Sequence, residues 1–128
     1  MNENAQKWVA ALRSGNYAQG IGALKANGKY CCLGVACDVY MKETGIGEWE
    51  KGEWEKWGGS LTGLESFIGK ERSSTGILID EVRAWLGLRN SFGDFRDGSL
   101  TTINDKDSDS NFNTIADLIE SEPEGLFL

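Results

Sequence analysis

Residues 24–41 read LKANGKYCCLGVACDVYM, and this stretch decides the fold because it predicts a hairpin that leads directly into a helix. The pair Asn27-Gly28 favours a type I′ turn, since both central positions of that turn require a positive φ. We therefore predict that residues 22–26 pair with residues 29–32. The chain has no room for a loop after this hairpin, so the second strand must pass straight into the helix.

The helix after the hairpin is predicted by apolar residues that recur at helical spacing. Gly45 is placed to end it. Gly34 weakens its first turn by about 1 kcal/mol relative to Ala, and we expect the missing side chain to allow close backbone packing there. The predicted apolar face consists of Leu33, Ala36, Cys37, Tyr40 and Met41.

Three cysteines within seven positions raise four alternatives: a metal site, a nucleophile, a disulfide or a buried core. A zinc site needs four ligands, and the chain has neither a fourth cysteine nor any histidine. A disulfide between the adjacent Cys31 and Cys32 would be strained. Cys32 lies near a predicted helix N-terminus, which can lower a thiol pKa, so the nucleophile stays open with Asp or Lys as its base. We predict buried structural cysteines, no metal site, no cofactor and no catalytic residue.

Composition indicates one acidic domain over residues 1–128, with a net charge of −7. This charge repels phosphate backbones and disfavours binding to a nucleic-acid duplex. The absence of histidine removes the commonest general base. No apolar run approaches the roughly 18 residues of a membrane-spanning helix, and we expect no membrane partner. The odd number of cysteines, with no signal peptide, favours a reducing cytoplasm.

The remaining patterns predict an α+β fold with about four short helices against a small antiparallel sheet. One helix is expected over residues 5–14, another from Asp80 to Gly87, a short one after Ser99, and a last one from about Ser110 until Pro123 stops it. Residues 89–98 are predicted to form a loop or a short hairpin. The apolar tail after Pro123 is expected to dock on its own core or on a neighbouring subunit, which leaves a homo-oligomer open.

The direct repeat GEWEKGEWEK at 47–56, followed by WGG, is the densest aromatic cluster of the chain. Its period of five fits neither helix nor strand, so we predict a surface hairpin or a long loop. Aromatic faces can stack on flat ligands, and an arginine can hold phosphate or carboxylate. We therefore predict a ligand-binding site at Trp49, Trp54, Trp57 and Arg72. The alternatives are that the tryptophans anchor a loop to the core and that Arg72 is ordinary surface charge.

Two further motifs are incomplete. Asp105, Asp107 and Asp109 have the spacing of calcium-loop ligands, but the position of the bidentate Glu is Ala116. The segment NFNTIADLIES is similar to part of a helix-turn-helix, but Pro123 leaves no room for a recognition helix after it. We therefore expect neither calcium binding nor sequence-specific recognition of DNA.

The blocks KWVAALRSGNYAQGIGALKANGKYCCLGVACDVY and INDKDSDSNFNTIADLIE resemble a family of small uncharacterised proteins from tailed bacteriophages and prophages. Its members are similar to WxxALRSGxYxQGxxAL, then CCLGVxCD, then LNDxGxSFxxIADLIE. The first two blocks fit closely, whereas the third has two extra residues and lacks the glycine. The resemblance implies a phage accessory protein that acts in the host bacterial cytoplasm. It carries over no catalytic residue.

These observations lead us to expect a non-enzymatic binding protein, because no convincing pair of nucleophile and base can be assembled. Its partner would be a small signal molecule that it sequesters or a host protein that it blocks, as a counter to host defence. The alternatives are a small enzyme that uses a cysteine or a carboxylate, and a minor virion component.

Overall fold

The structure, a computed structural model, describes residues 1–51, 63–106 and 110–128. Within them the chain forms helices and short strands in alternation. The helices are α1 (Glu3–Arg13), α2 (Cys32–Thr44), α3 (Asp80–Leu86), α4 (Leu100–Lys106) and α5 (Phe112–Glu120). The strands are β1 (Ala18–Gln19), β2 (Lys25–Ala26), β3 (Lys29–Tyr30), β4 (Glu48–Lys51), β5 (Leu64–Ile68), β6 (Ser73–Ser74), β7 (Asp94–Phe95) and β8 (Gly98–Ser99).

The α+β class is confirmed, with two differences in detail. The described residues contain five helices, one for each segment that the sequence predicted as helical, although the fold prediction counted about four. The larger sheet is mixed rather than antiparallel: its order is β1-β3-β2-β5-β4, and β1 runs parallel to β3. Strand β6 pairs with β5 on the side that β2 also occupies. Strands β7 and β8 form a separate hairpin, as one of the two predictions for that segment required.

The hairpin at Asn27-Gly28 is confirmed, but its strands Lys25–Ala26 and Lys29–Tyr30 are shorter than the predicted pairing of residues 22–26 with 29–32. Asn27 and Gly28 have φ values of 54° and 76°, as a type I′ turn requires. Lys25 pairs with Tyr30, and the hydrogen bond from Cys31 N to the Leu24 carbonyl (3.2 Å) extends the pairing up to the start of α2. The turn therefore delivers the chain into the helix with no intervening loop.

Helix α2 is buried on every side over its first nine residues, Cys32 to Tyr40, rather than on one face. Helices α1, α3 and α4 contact it, and the sheet covers it through ring contacts such as that of Phe67 with Tyr40. Gly34 is required by this packing, because a Cβ there would lie 1.8 Å from the Leu24 carbonyl oxygen. Gly45 ends the helix in the left-handed conformation, as predicted.

The C-terminal tail docks on its own chain. Leu126 is completely buried, its carbonyl accepts a hydrogen bond from Arg89 N (3.0 Å), and Leu128 N donates to the Gly87 carbonyl (2.8 Å). The tail thus adds to the core beside α3. No helix in the described part of the chain has both the length and the apolar character needed to cross a bilayer.

Candidate functional site

Arg72 lies at the tight turn that joins β5 to β6. The turn is closed by a hydrogen bond from Gly69 N to the Arg72 carbonyl (2.8 Å). Gly69 lies close to this helix, because a Cβ there would lie 2.5 Å from Ile79 Cδ1 and would displace that side chain. The turn is therefore packed against the start of α3. Arg72 itself is exposed, and no ion pair involves its guanidinium in the described residues.

An open pocket of about 490 Å³ lies beside this guanidinium and is called here the Arg72 pocket. Its volume is within the range of small-molecule sites. Its walls are Arg72 and Asp80, the hydroxyl-bearing residues Ser73, Ser74 and Ser91, and an apolar floor from residues 77–79. The pocket therefore combines a guanidinium without an ion pair in the described chain, several serine residues and a small apolar surface.

The walls of the Arg72 pocket are held by the protein's own hydrogen bonds. Ser74 Oγ accepts from Ile77 N (3.2 Å) and from Gly76 N (3.4 Å), which fixes the turn after β6. Leu78 N donates to the Ser91 carbonyl (3.1 Å) and so joins the floor to the loop after α3. These bonds form the pocket without a ligand.

Asp80 places a carboxylate at the pocket, but its charge is offset. Arg83 Nε donates to Asp80 Oδ1 at 2.7 Å. This hydrogen bond, with a smaller contribution from the Arg72 charge, lowers the pKa of Asp80. Asp80 stays ionised and is matched by Arg83, so the charge that the pocket offers to a ligand is that of Arg72.

Trp49 lies in β4, on the opposite side of β5 from Arg72. Its half-buried ring packs edge-on against Tyr30 and Phe67, with centroid separations of 5.9 Å and 5.0 Å. Its indole nitrogen donates to Asp38 Oδ1 at 3.1 Å. The structure thus places the two described residues of the predicted site in separate environments.

Trp54 and Trp57 lie outside the described residues. The assignment of all four residues to a ligand site stays a prediction. Of the two that the structure describes, Arg72 lines an open pocket and Trp49 contributes to a packed aromatic group.

Asp38 is the centre of a polar network that we call the Asp38 cluster, formed by Tyr17, Asp38, Lys42 and Trp49. Asp38 is 4% exposed and accepts hydrogen bonds from Tyr17 Oη (2.5 Å), Lys42 Nζ (2.9 Å) and the Trp49 indole. Burial raises the pKa of Asp38, but these hydrogen bonds outweigh it and the net pKa is lowered. Burial, and then the bond to Asp38, raises the pKa of Tyr17. The cluster joins α2 to β4 and to the segment after α1.

The three cysteines are free and buried, as predicted. Cys31 is the N-cap of α2, with its sulfur accepting from Gly34 N at 3.4 Å. Burial raises the pKa of Cys31 to about 11 and also raises the pKa of the completely buried Cys32 and Cys37. At Cys32 burial therefore outweighs the helix N-terminus, and such thiols are poor nucleophiles.

Potential metal ligands do not converge within residues 1–51, 63–106 and 110–128, where no group of three or more His, Cys, Asp or Glu side chains is arranged to hold an ion. Asp105, the first position of the incomplete calcium motif, accepts from Gly22 N (3.1 Å) and from the Asn104 amide (3.0 Å). Asp107 and Asp109 lie outside the described residues.

A family model described as Domain of unknown function (DUF8296) matches residues 1–123. The chain belongs to this family. No curated protein and no solved structure matches the chain. Family membership covers nearly the whole chain, so the Arg72 pocket and the Asp38 cluster both lie within the shared domain.

Sequence reasoning identified Arg72 but missed the other walls of its pocket. Ser73 and Ser74 form β6, Ser91 lies in the loop after α3, and no local pattern joins these two segments. The run SSTG at 73–76 is typical of a turn, and it is the local signal that could have located these pocket walls. Asp38 was also missed, because it lies off the predicted apolar stripe of α2.

Proposed function

We propose that this protein is a non-enzymatic binding protein of phage origin that acts in the host bacterial cytoplasm and counters host defence by sequestering a small signal molecule. The observation that carries the proposal is the Arg72 pocket: an open, preformed pocket of small-molecule size beside a guanidinium that makes no ion pair within the described part of the chain. An unpaired arginine at a cavity is typical of sites for phosphate or carboxylate groups. A stoichiometric binder needs no further chemistry at the site.

The condition of the possible nucleophiles supports binding rather than turnover. The thiols are buried and their pKa values are raised, and the Asp38 carboxylate already accepts three hydrogen bonds. Asp80 at the pocket is matched by Arg83. Among the described residues, none of these groups pairs a reactive nucleophile with a free base at a cavity.

The proposal is tested by incubating the purified protein with extracts of phage-challenged bacteria, re-isolating it, and heating it to release what it holds. Mass spectrometry and a signalling assay on the released fraction then identify the ligand and its activity. We expect an intact, active molecule in a ratio near one per site. Release of only a degraded product would favour the enzyme instead, and an empty protein would refute sequestration.

The matched variants are Arg72→Ala and Lys70→Ala. Both remove one exposed positive charge from the same turn, but Lys70 does not line the pocket. We expect Arg72→Ala to release at least about ten-fold less ligand, equivalent to about 1.4 kcal/mol, and Lys70→Ala to behave as the parent. Equal losses in both variants would show that general charge, rather than the pocket, retains the ligand.

A further inference from the structure

We infer that the ligand of the Arg72 pocket carries a phosphoryl group, which the guanidinium and the surrounding serine hydroxyls bind together. This inference rests on the proposed function, because it names the chemical class of the sequestered molecule. It distinguishes between the two anions that an arginine recognises most readily, phosphate and carboxylate.

The pocket is lined by more hydrogen-bond donors than a carboxylate can use. Arg72 offers five N–H groups in a planar fork, and each serine adds one O–H. A carboxylate has two oxygens, both of which a single guanidinium fork can occupy. A phosphate monoester has three terminal oxygens and a larger charge. The donors that remain after the fork is filled therefore suit a phosphoryl group better than a carboxylate.

The Ser74 hydroxyl is available as a hydrogen-bond donor. Its oxygen already accepts from the backbone N–H groups of Gly76 and Ile77, and a hydroxyl oxygen has two lone pairs. Its hydrogen is consequently left to donate to another group. In the described part of the chain the hydroxyls of Ser73 and Ser91 make no hydrogen bond. The three serines that line the pocket beside Arg72 thus each retain a hydroxyl hydrogen that can donate to a ligand.

The negative charge of Asp80 opposes the binding of an anionic ligand. Arg83 offsets this charge but does not remove it. The carboxylate therefore weakens anion binding, while it can accept a hydrogen bond from a hydroxyl or amine of the ligand's organic part. Ile77, the half-buried residue of the apolar floor, gives that organic part a small surface to cover, whereas Leu78 and Ile79 are already buried. The pocket fits a phosphate ester of a small polar ring better than inorganic phosphate.

The test uses the full chain, labelled with ¹⁵N, and three probes: inorganic phosphate, adenosine 5′-monophosphate and sodium acetate at matched ionic strength. Backbone amide shifts of residues 72–74, 77–80 and 91 are followed by NMR. We expect saturable shifts at these residues with phosphate, and at least about ten-fold tighter binding of the nucleotide. Acetate should bind at least about ten-fold more weakly than phosphate. Equal affinities for acetate and phosphate, or no saturable shift with any probe, would overturn the inference.

Two substitutions with opposite expected effects separate recognition from general damage. Arg72→Ala should abolish the phosphate-dependent shifts, whereas Asp80→Asn should tighten phosphate binding about three- to ten-fold, since it removes the opposing charge at little change in shape. Lys70→Ala, from the same turn, should bind as the parent does. Weaker phosphate binding in both Arg72→Ala and Asp80→Asn would contradict the charge argument.

The outcomes distinguish this inference from the proposed function. A ligand that is released from the wild-type protein, is lost in Arg72→Ala and contains no phosphorus would refute the phosphoryl assignment and leave sequestration standing. Saturable phosphate binding in the pocket of a protein that retains nothing from challenged extracts would support the phosphoryl site and refute sequestration.

Discussion

Replacing Asn104 with alanine should strongly destabilise the protein, because this buried side chain makes four hydrogen bonds. Asn104 is 3% exposed and lies in α4. Its Oδ1 accepts from Cys32 N (3.2 Å) and from Gln19 Nε2 (3.1 Å). Its Nδ2 donates to the Gly20 carbonyl (2.9 Å) and to Asp105 Oδ1 (3.0 Å). One amide thus joins three segments: the loop after β1, the first turn of α2, and α4.

The magnitude follows from which partners would be left without a hydrogen bond. The Cys32 N–H is deeply buried and the Gly20 carbonyl is half-buried, whereas Gln19 and Asp105 are partly exposed and can turn to water. Each buried group left unsatisfied costs about 1–3 kcal/mol. We therefore expect Asn104→Ala to lower the free energy of unfolding by about 2–5 kcal/mol, out of a total of about 5–15 kcal/mol for a typical domain.

Urea unfolding followed by tryptophan fluorescence measures this loss directly. With a mid-range slope of about 2 kcal/mol per molar, the midpoint should fall by about 1–2.5 M while the slope stays unchanged. Asn113→Ala is the control, because Asn113 is exposed on α5 and its loss should change stability by no more than about 0.5 kcal/mol. A loss below about 1 kcal/mol at Asn104 would refute the reasoning from unsatisfied buried groups.

Three further predictions concern α2 and its contacts. Asp38→Asn should lower the free energy of unfolding by about 1.5–3 kcal/mol at pH 7, since all three partners of Asp38 donate hydrogens to it. The folded-state pKa of Asp38 is lowered. The difference between the two proteins, measured by urea titration, should therefore be present above about pH 4 and shrink as the pH falls through the folded-state pKa. Gly34→Ala should prevent folding or cost more than about 4 kcal/mol, judged by circular dichroism, whereas Gly76→Ala, with open space at its Cβ, should change stability by less than about 1 kcal/mol. Cys37→Ser should cost about 1–3 kcal/mol by burying a hydroxyl, whereas Cys31→Ser should be neutral or stabilising because serine is a preferred N-cap; equal losses in thermal melts would contradict the capping role of Cys31.

The parts of the fold that sequence could predict are those that local chemistry fixes. Asn27-Gly28 needs positive φ wherever it is found, so the hairpin could be read from two residues. The start and end of α2 follow similarly from its apolar spacing and from Gly45. The stripe of α5 is equally local, and its predicted members Phe112, Ile115, Ala116 and Ile119 are all buried.

What could not be predicted depends on partners far apart in the chain. Strand β5 lies in a stretch with no clear alternation, and it is a strand because β4 and β2 pair with it on opposite sides. Asp38 is off the apolar stripe, and it is buried because Tyr17 and Trp49 cover it from other elements. The Arg72 pocket likewise combines a turn, the segment before α3 and Ser91.

This division between local and distant determinants bears on how function can be assigned in this family. The residues of the cysteine motif stabilise the fold. Cys31 caps α2, Gly34 leaves space for the Leu24 carbonyl, and Asp38 accepts a hydrogen bond from Trp49 of β4. A substitution at any of these residues acts first on stability, so a loss of activity there identifies no site. Arg72 differs, because its exposed guanidinium makes no ion pair within the described chain. Its removal should leave folding nearly unchanged, and a loss of binding in a fully folded Arg72→Ala protein therefore reports on recognition itself.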